Sequence, residues 1–269
     1  INVLCCTPTE YRMMAKLDNL DQYNLDHLHS AVSAGEPLNR EVVEQFRKHF
    51  NLTVRDGYGQ TESTLLIGFL KDTEQRPGSM GKAIPGSRVA VVDDEGNKVD
   101  TNVKGNIALP LDFPGLFKGY FKDEKRTKDA HAGDYYITGD LAHIDEDGYF
   151  WFEGRRDDII ISSGYTIGPF EVEDALTNHE AVKECAVVAS PHPIRGNIVK
   201  AFIILKEGYK PSDDLVKELQ TFSKKVVAPY KYPRAIEFVE DLPKTNSGKI
   251  RRVELREAER TKHNNAQNK

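Results

Sequence analysis

Cysteine is scarce in this sequence: Cys5, Cys6 and Cys185 are the 3 found among 269 residues, and no Cys-x-x-Cys pair occurs. An odd, scattered set excludes a disulfide scaffold and offers no zinc-ligand spacing. It suits a reducing compartment, and the expected location is cytoplasmic. Cys5 and Cys6 are expected to serve as small apolar side chains in a buried strand. No apolar run approaches the roughly 18 residues that a membrane span requires. The opening Ile1-Asn2-Val3-Leu4 has neither the basic stretch nor the apolar core of a signal peptide. It begins without Met and reads as a strand inside a domain, so the chain is expected to be a piece of a longer one. A surplus of positive charge is also missing: 37 Lys and Arg face 42 Asp and Glu, for a net charge of −5, which argues against a nucleic-acid partner. There is no internal repeat and no low-complexity tract. What remains, 39% hydrophobic and 29% charged, is the composition of one large or two ordinary globular domains.

The patterns change along the chain. Over residues 38–50, Val42, Val43, Phe46 and Phe50 share one helical face, with Asn39 as the expected cap. The segment from Asn51 to Gly59 then reads as a strand ending in a glycine turn, so helix and strand together suggest an α/β layer. Residues 86–155 alternate as strands around turn signals at Asp94-Glu95-Gly96 and Glu146-Asp147-Gly148, a β-rich region. A βα rhythm then resumes. Helices are expected around Val172, Ala175 and Leu176, and around Leu215, Leu219 and Phe222, with Asp213 and Asp214 near the N-terminus of the latter. Strands are expected at 184–190, 200–208 and 235–241, and the polar tail from Lys262 is expected to fray. The boundary falls near Asp157-Asp158.

Three segments carry chemistry. Asp56-Gly57-Tyr58-Gly59-Gln60-Thr61-Glu62-Ser63 is expected to pack a ring, small residues, a hydroxyl and a carboxylate into one turn. Such a stretch suits stacking on a base, close approach of a phosphate, and Mg²⁺ held through one carboxylate; by itself it also fits an ordinary polar loop. Tyr136-Ile137-Thr138-Gly139-Asp140, followed by Gly154-Arg155-Arg156-Asp157-Asp158, supplies an Asp that suits paired ribose hydroxyls and an Arg donor fork. Either alone also fits a surface salt bridge. Pro243-Lys244-Thr245-Asn246-Ser247-Gly248-Lys249 places one Lys on an expected flexible loop, where an ammonium can approach a phosphate and leave again. Most loop lysines are simply solvated.

In this order and spacing the three segments resemble the adenylate-forming superfamily of acyl-CoA synthetases, adenylation domains and luciferases. Ser33-Ala34-Gly35-Glu36-Pro37, Pro114-Gly115-Leu116-Phe117-Lys118-Gly119-Tyr120 and Ser162-Ser163-Gly164-Tyr165 agree with it. The likeness is greatest to short- and medium-chain acyl-CoA synthetases, and it runs to about residue 258. It implies a mixed α/β and α+β fold. Residues 1–156 would be the remainder of a large domain (an α/β layer plus a β-rich subdomain), and 157–269 a small α+β domain turning about a hinge at Asp157. It also implies ATP, Mg²⁺ and coenzyme A as cosubstrates and cofactor, with a carboxylic acid as substrate. Gly35, Glu36 and Pro37 would wall the adenine pocket, Tyr58 would stack on the base, and Asp56, Gly59 and Gln60 would complete that stretch. Thr61 would meet the α-phosphate, Glu62 would hold Mg²⁺, and Asp140 and Arg155 would bind the ribose. Lys249 would stabilise charge in the first half-reaction. Ser163 and Gly164 would face the site in the second, the missing side chain of Gly164 leaving room for the pantetheine arm. A protein acetyltransferase acting on Lys249 is an implied partner.

Two departures stand out. No phosphate loop of the Thr-Ser-Gly-Thr-Thr-Gly type precedes these motifs, so the chain alone is expected not to complete adenylation. Thr166 stands where relatives commonly carry Arg, which predicts weaker nucleotide or coenzyme A binding. The alternatives are an adenylation domain loading a carrier protein and a non-catalytic nucleotide-binding remnant. Relatives specific for acetate carry Trp at the position of Gly59. A glycine there is expected to open the acyl pocket to longer or aromatic acids.

Overall fold

The computed structural model describes residues 1–17, 19–36, 38, 40–245 and 248–267. The chain divides into two compact units, Ile1–Phe152 and Glu153–Lys269, four residues before the boundary expected at 156/157.

The first unit opens as an α/β layer. Strand β1 (Val3–Cys6), helix α1 (Pro8–Ala15), strand β2 (Ser30–Ala34), helix α2 (Arg40–Phe50) and strand β3 (Val54–Gly59) follow one another, and β1, β2 and β3 pair in parallel. Helix α1 was not read from the sequence, although Thr7-Pro8-Thr9-Glu10 announces it. Thr7 Oγ1 accepts from Glu10 N–H at 3.3 Å, and the Glu10 carboxylate accepts from Thr7 N–H at 2.7 Å. This is a reciprocal cap, with Pro at the first helical position where no N–H is needed. Tyr11 is wholly buried: its ring meets Phe46 edge-on at 5.1 Å, and its hydroxyl donates to the Leu4 and Val32 carbonyls. Val42, Val43 and Phe46 are buried as the helical spacing requires, whereas the expected cap Asn39 lies outside the described residues. Cys5 is exposed and Cys6 half-buried, so the expected burial of both does not hold: β1 is the end strand of its sheet here.

The sheet continues through antiparallel pairings. Its members are β4 (Leu65–Gly68), β5 (Gly81–Ala83), β6 (Ala90–Val92), β7 (Gly105–Pro110), β8 (His131–Ala132), β9 (Tyr135–Ile144) and β10 (Tyr149–Arg155), with helix α3 (Glu124–Asp129) before β8. The strand order is β1-β2-β3-β4-β5-β10-β9-β7-β6, with β8 on β9. Along β9 burial alternates from Tyr135 to His143, which places Tyr136, Thr138, Asp140 and Ala142 on one inward face. The period-2 rule of strands therefore carries a charged residue into the interior beside an aromatic one.

The second unit holds a five-stranded sheet. Strands β11 (Ile160–Ser162), β12 (Tyr165–Ile167), β13 (Val182–His192) and β14 (Gly196–Leu205) pair antiparallel, and β15 (Ala235–Phe238) adds to β14 in parallel. Helices α4 (Pro169–Thr177) and α5 (Asp213–Val226) put Val172, Leu176, Leu215 and Leu219 against Val187, Ala201 and Ile203. The alternate residues Ala186, Val188 and Phe202 join Leu242, Ile250 and Leu255 in a separate cluster. Leu255 belongs to helix α6 (Arg252–Gln267), which includes the tail expected to fray from Lys262. Lys200 holds that helix through Glu259 at 2.7 Å, and Lys262 reaches Glu237 at 3.2 Å, so ion pairs supply anchorage that hydrophobic periodicity does not reveal.

Candidate active site

In a parallel α/β layer, ligands gather outside the carboxyl ends of the strands, where loops carry backbone groups with no ladder partner. Strands β2 and β3 run side by side in register, Ser33 opposite Asp56 and Ala34 opposite Gly57. Gly35-Glu36 and Gln60-Thr61-Glu62 therefore leave the sheet at the same end. Gly35 takes φ +99°, a left-handed turn open to glycine. Pro37 lies outside the described residues.

The stretch from Asp56 is half strand and half turn, not one turn: Asp56 to Gly59 complete β3, and the turn begins at Gln60. Ser63 N–H donates to the Gln60 carbonyl at 3.0 Å, and Gln60 N–H donates to Ser63 Oγ at 3.1 Å. The reciprocal pair presents an exposed Thr61 and a half-buried Glu62. Behind the turn lies a polar cluster. Tyr58 Oη and Gln60 Nε2 both donate to Asp140 Oδ2 at 2.7 Å, and Gln60 Nε2 also donates to the Thr138 carbonyl at 3.0 Å. Tyr136 Oη donates to Gln60 Oε1 at 3.4 Å. Burial pushes the Tyr58 hydroxyl far above the ordinary tyrosine range, and the Asp140 charge adds to this, so Tyr58 is a permanent donor. The structure thus joins Tyr58, Gln60 and Asp140, with Gln60 bracing the carboxylate of Asp140.

Two candidates turn their side chains inward. Glu36 Oε2 accepts from Thr9 Oγ1 at 2.8 Å and from Arg12 at 3.1 Å, so its side chain is held against helix α1. The Asp56 carboxylate accepts from Gly57 N–H at 3.0 Å, and its burial raises its pKa to about 7. At Gly59 the expectation of an open acyl pocket fails. A Cβ there would lie 2.3 Å from the Thr64 carbonyl oxygen and 3.2 Å from Leu65 Cα. The glycine is required by the close approach of β4, and the space a side chain would enter is occupied by backbone.

One carboxylate, Glu62, is available for a metal, and no group of three or more His, Cys, Asp or Glu side chains able to hold one occurs among the described residues. That donor set does not cage a cation by itself. It fits Mg²⁺ bound jointly by one carboxylate and nucleotide phosphates, the usual mode for this ion.

Arg155, Ser163, Gly164 and Lys249 belong to the second unit. Arg155 is exposed at the end of β10, and Asp157 is exposed in the single helical turn Arg156–Asp158 that follows. Ser163 and Gly164 form the two-residue turn between β11 and β12, with φ of +50° and +82°. Both central residues left-handed is the turn that matches strand twist, so Gly164 is demanded by the hairpin itself; among the described residues, its two chain neighbours aside, nothing lies within 4 Å of its would-be Cβ. Thr166 is exposed on the same hairpin, while Arg195 donates to Ser163 Oγ at 3.0 Å and brings a cation to the tip. Lys249 is exposed, but its loop is less free than the sequence suggests. Thr245 N–H donates to the Lys249 carbonyl at 2.8 Å, and Lys249 N–H donates to Thr245 Oγ1 at 3.1 Å. Lys244 pairs with Glu184 at 2.7 Å. Asn246 and Ser247 lie outside the described residues.

Sequence reading missed Tyr120, whose hydroxyl donates to Glu62 Oε1 at 3.0 Å, and Arg252, which binds Glu173 through two nitrogens at 2.9 and 2.6 Å. Neither contact has a signal in spacing, because the partners lie 58 and 79 residues apart.

A turn bearing Thr61 and Glu62 at the ends of β2 and β3, backed by a part-buried Tyr-Gln-Asp cluster, is the arrangement expected of the adenylate-forming class of enzymes. Comparison with known proteins agrees. The model of the AMP-binding enzymes matches residues 1–121, and that of the AMP-binding enzyme C-terminal domain matches 171–249; the chain belongs to this family. It is 64% identical over 259 residues to an uncharacterized acyl–CoA ligase of Bacillus subtilis (strain 168), covering 96% of this chain and 49% of that protein. It is 51% identical over 264 residues to the mitochondrial acyl-coenzyme A synthetase ACSM3 of Mus musculus, covering 96% and 45%. The crystal structure of the anthranilate CoA ligase AuaEII with anthranoyl-AMP superposes with a TM-score of 0.87 at 36% identity, covering 96% and 49%. The chain therefore spans about half the length of the curated relatives it matches.

Proposed function

We propose that this chain forms part of an AMP-forming acyl-CoA synthetase. A carboxylate attacks the α-phosphorus of ATP and pyrophosphate leaves; the thiol of coenzyme A then attacks the acyl carbonyl of the acyl-AMP, and AMP leaves. The observation that carries the reading is the convergence of Tyr58, Gln60 and Asp140 behind the Thr61-Glu62 turn, where β2 and β3 end. Tyr58 offers a ring for the adenine. Asp140, fixed by two donors, suits the ribose hydroxyls, and Arg155 adds a donor fork for them. Thr61 donates its hydroxyl to the α-phosphate. Glu62 would hold Mg²⁺ together with the phosphates, and the bound ion would neutralise their charge. Lys249 offsets the negative charge that grows as the acid attacks; no enzyme–substrate bond forms, so positioning and electrostatics supply the rate. Two relatives point to acids larger than acetate: a 4-hydroxybutyrate–CoA ligase of Metallosphaera sedula at 49% identity, and a benzoate CoA ligase of Burkholderia xenovorans at 33%. We assign this chain the same class, aliphatic or aromatic acids of four or more carbons.

The two half-reactions need different groups beside the acyl carbonyl. Rotation of the second unit about Asp157 would exchange Lys249 for the Ser163-Gly164 hairpin. Acetylation of Lys249 by a protein acetyltransferase would remove its charge and stop the first half-reaction. A cytoplasmic setting suits the free thiols Cys5 and Cys6. The test is pyrophosphate release by the full-length protein over acetate, butyrate, hexanoate, octanoate and benzoate, with and without coenzyme A. Pyrophosphate without coenzyme A and thioester with it are the expected results. Absence of pyrophosphate with every acid overturns the reading.

A further inference from the structure

The stretch Pro114–Tyr120 marks the family resemblance without a role in the chemistry so far. In the structure it ends against the candidate metal ligand. Phe117 N–H donates to the Glu62 carbonyl at 2.8 Å, and Tyr120 Oη donates to Glu62 Oε1 at 3.0 Å. Tyr120 is itself held on every side. Its ring meets Phe117 edge-on at 4.9 Å, and the Arg126 guanidinium lies 3.7 Å above its centre. Its N–H donates to Thr127 Oγ1 at 2.9 Å, and Thr127 in turn donates to the Asp123 carbonyl at 2.9 Å. Asp123 caps α3 through Arg126 N–H, so the helix that carries Arg126 and Thr127 is tied to the same corner.

We infer that Tyr120 is a positioning residue for the Glu62 carboxylate, setting its rotation for the metal–nucleotide complex. The inference rests on the proposed adenylating function. A half-buried glutamate has three rotatable bonds and loses that freedom on binding a cation. Among the described residues no cluster of acidic side chains shares the metal with Glu62, so none of them orients the group. A hydroxyl locked in place supplies the orientation beforehand. A purely packing role needs only the ring, which Phe117 and Arg126 already grip; the oxygen on Glu62 is what packing leaves unexplained.

The test separates the hydroxyl from the ring. In the full-length enzyme, Tyr120→Phe keeps the ring and removes the donor. Mn²⁺ affinity is measured by electron paramagnetic resonance with a non-hydrolysable ATP analogue present, beside the Mg²⁺ dependence of pyrophosphate release and the melting temperature. The expected result is Mn²⁺ binding weakened about tenfold, the size typical for losing a hydrogen bond to a metal ligand. The Mg²⁺ requirement rises in parallel, and the melting temperature stays unchanged. Glu62→Gln also weakens Mn²⁺, and adding Tyr120→Phe to it has no further effect, because the hydroxyl acts through that carboxylate. Unaltered Mn²⁺ affinity in Tyr120→Phe overturns the inference. So does an equal loss in the Glu62→Gln background, or a fall in melting temperature with metal and nucleotide binding lost together. An unmodified enzyme that releases no pyrophosphate and binds no Mn²⁺ with the analogue overturns the adenylating function itself, and the inference with it.

Discussion

At Asp56 a charge and a close-packed strand end compete. Its carboxyl titrates at about 7 because burial disfavours the anion more than the Gly57 N–H favours it. Below about pH 4 the group is protonated in folded and unfolded chains alike. Between there and about 7 the unfolded chain loses its proton first, so stability falls as pH rises through that window and stays lowered above it. Asp56→Asn is expected to flatten the dependence of the urea midpoint on pH from 4 to 8 and to raise stability at pH 8. A variant with the same slope as the unmodified chain assigns the pH dependence elsewhere. At Gly59 the limit is steric. With the Thr64 carbonyl 2.3 Å from the Cβ position, Gly59→Ala should cost about 1–3 kcal/mol in chemical denaturation, the usual range for overpacking. Gly59→Trp therefore disturbs β4 before it reports on acid length.

Helix α6 shows what elements add. Arg252 begins it, two residues beyond the Lys249-Ile250 step, and grips Glu173 of α4, which is 6% exposed. Glu173 also accepts from Val187 N–H at 2.8 Å. Arg256, one turn on, pairs with Asp158, and Arg252 lies 4.0 Å from the same carboxylate. Removing one member of such a pair strands a buried charge. Arg252→Ala should cost about 3 kcal/mol, and Arg252→Lys, which cannot bind both oxygens in a fork, should recover only part. Equal urea midpoints for all three chains would show that the pair contributes nothing. The hairpin at Ser163-Gly164 has the opposite character: its left-handed Ser163 is a mild strain on the surface. Ser163→Gly should stabilise the second unit, measurable as slower amide exchange in β11 and β12.

At the scale of the whole molecule, the proposed exchange of Lys249 for the Ser163-Gly164 hairpin assigns two parts of the second unit to different half-reactions. Lys249→Ala in the full-length enzyme is expected to abolish acyl-AMP formation while sparing thioester formation from supplied acyl-AMP. Equal loss of both would remove Lys249 from its assigned role. Limited proteolysis is expected to cut first at 153–158, where the two units meet along the chain. A protease-resistant product spanning that segment argues against a hinge there.

Much of the architecture was already determined by the sequence, because it rests on local periodicity. Val42, Val43 and Phe46 could share a face only on a helix, whereas the inward face of Asp140, a residue that equally fitted a surface salt bridge, shows only in β9. The order of the motifs pointed to the family for the same reason: it is a property of the chain. The capping box at Thr7 is equally local. What only the tertiary structure decided are relations between residues far apart. Tyr58 and Gln60 meet Asp140 across 82 and 80 positions, Tyr120 meets Glu62 across 58, and the polar end of α6 is anchored by charges on β14 and β15. The direction a glycine would point its missing side chain belongs to the same group. Gly59 reads as open space in one dimension and faces the backbone of β4 in three, because strand pairing brings Leu65 opposite it.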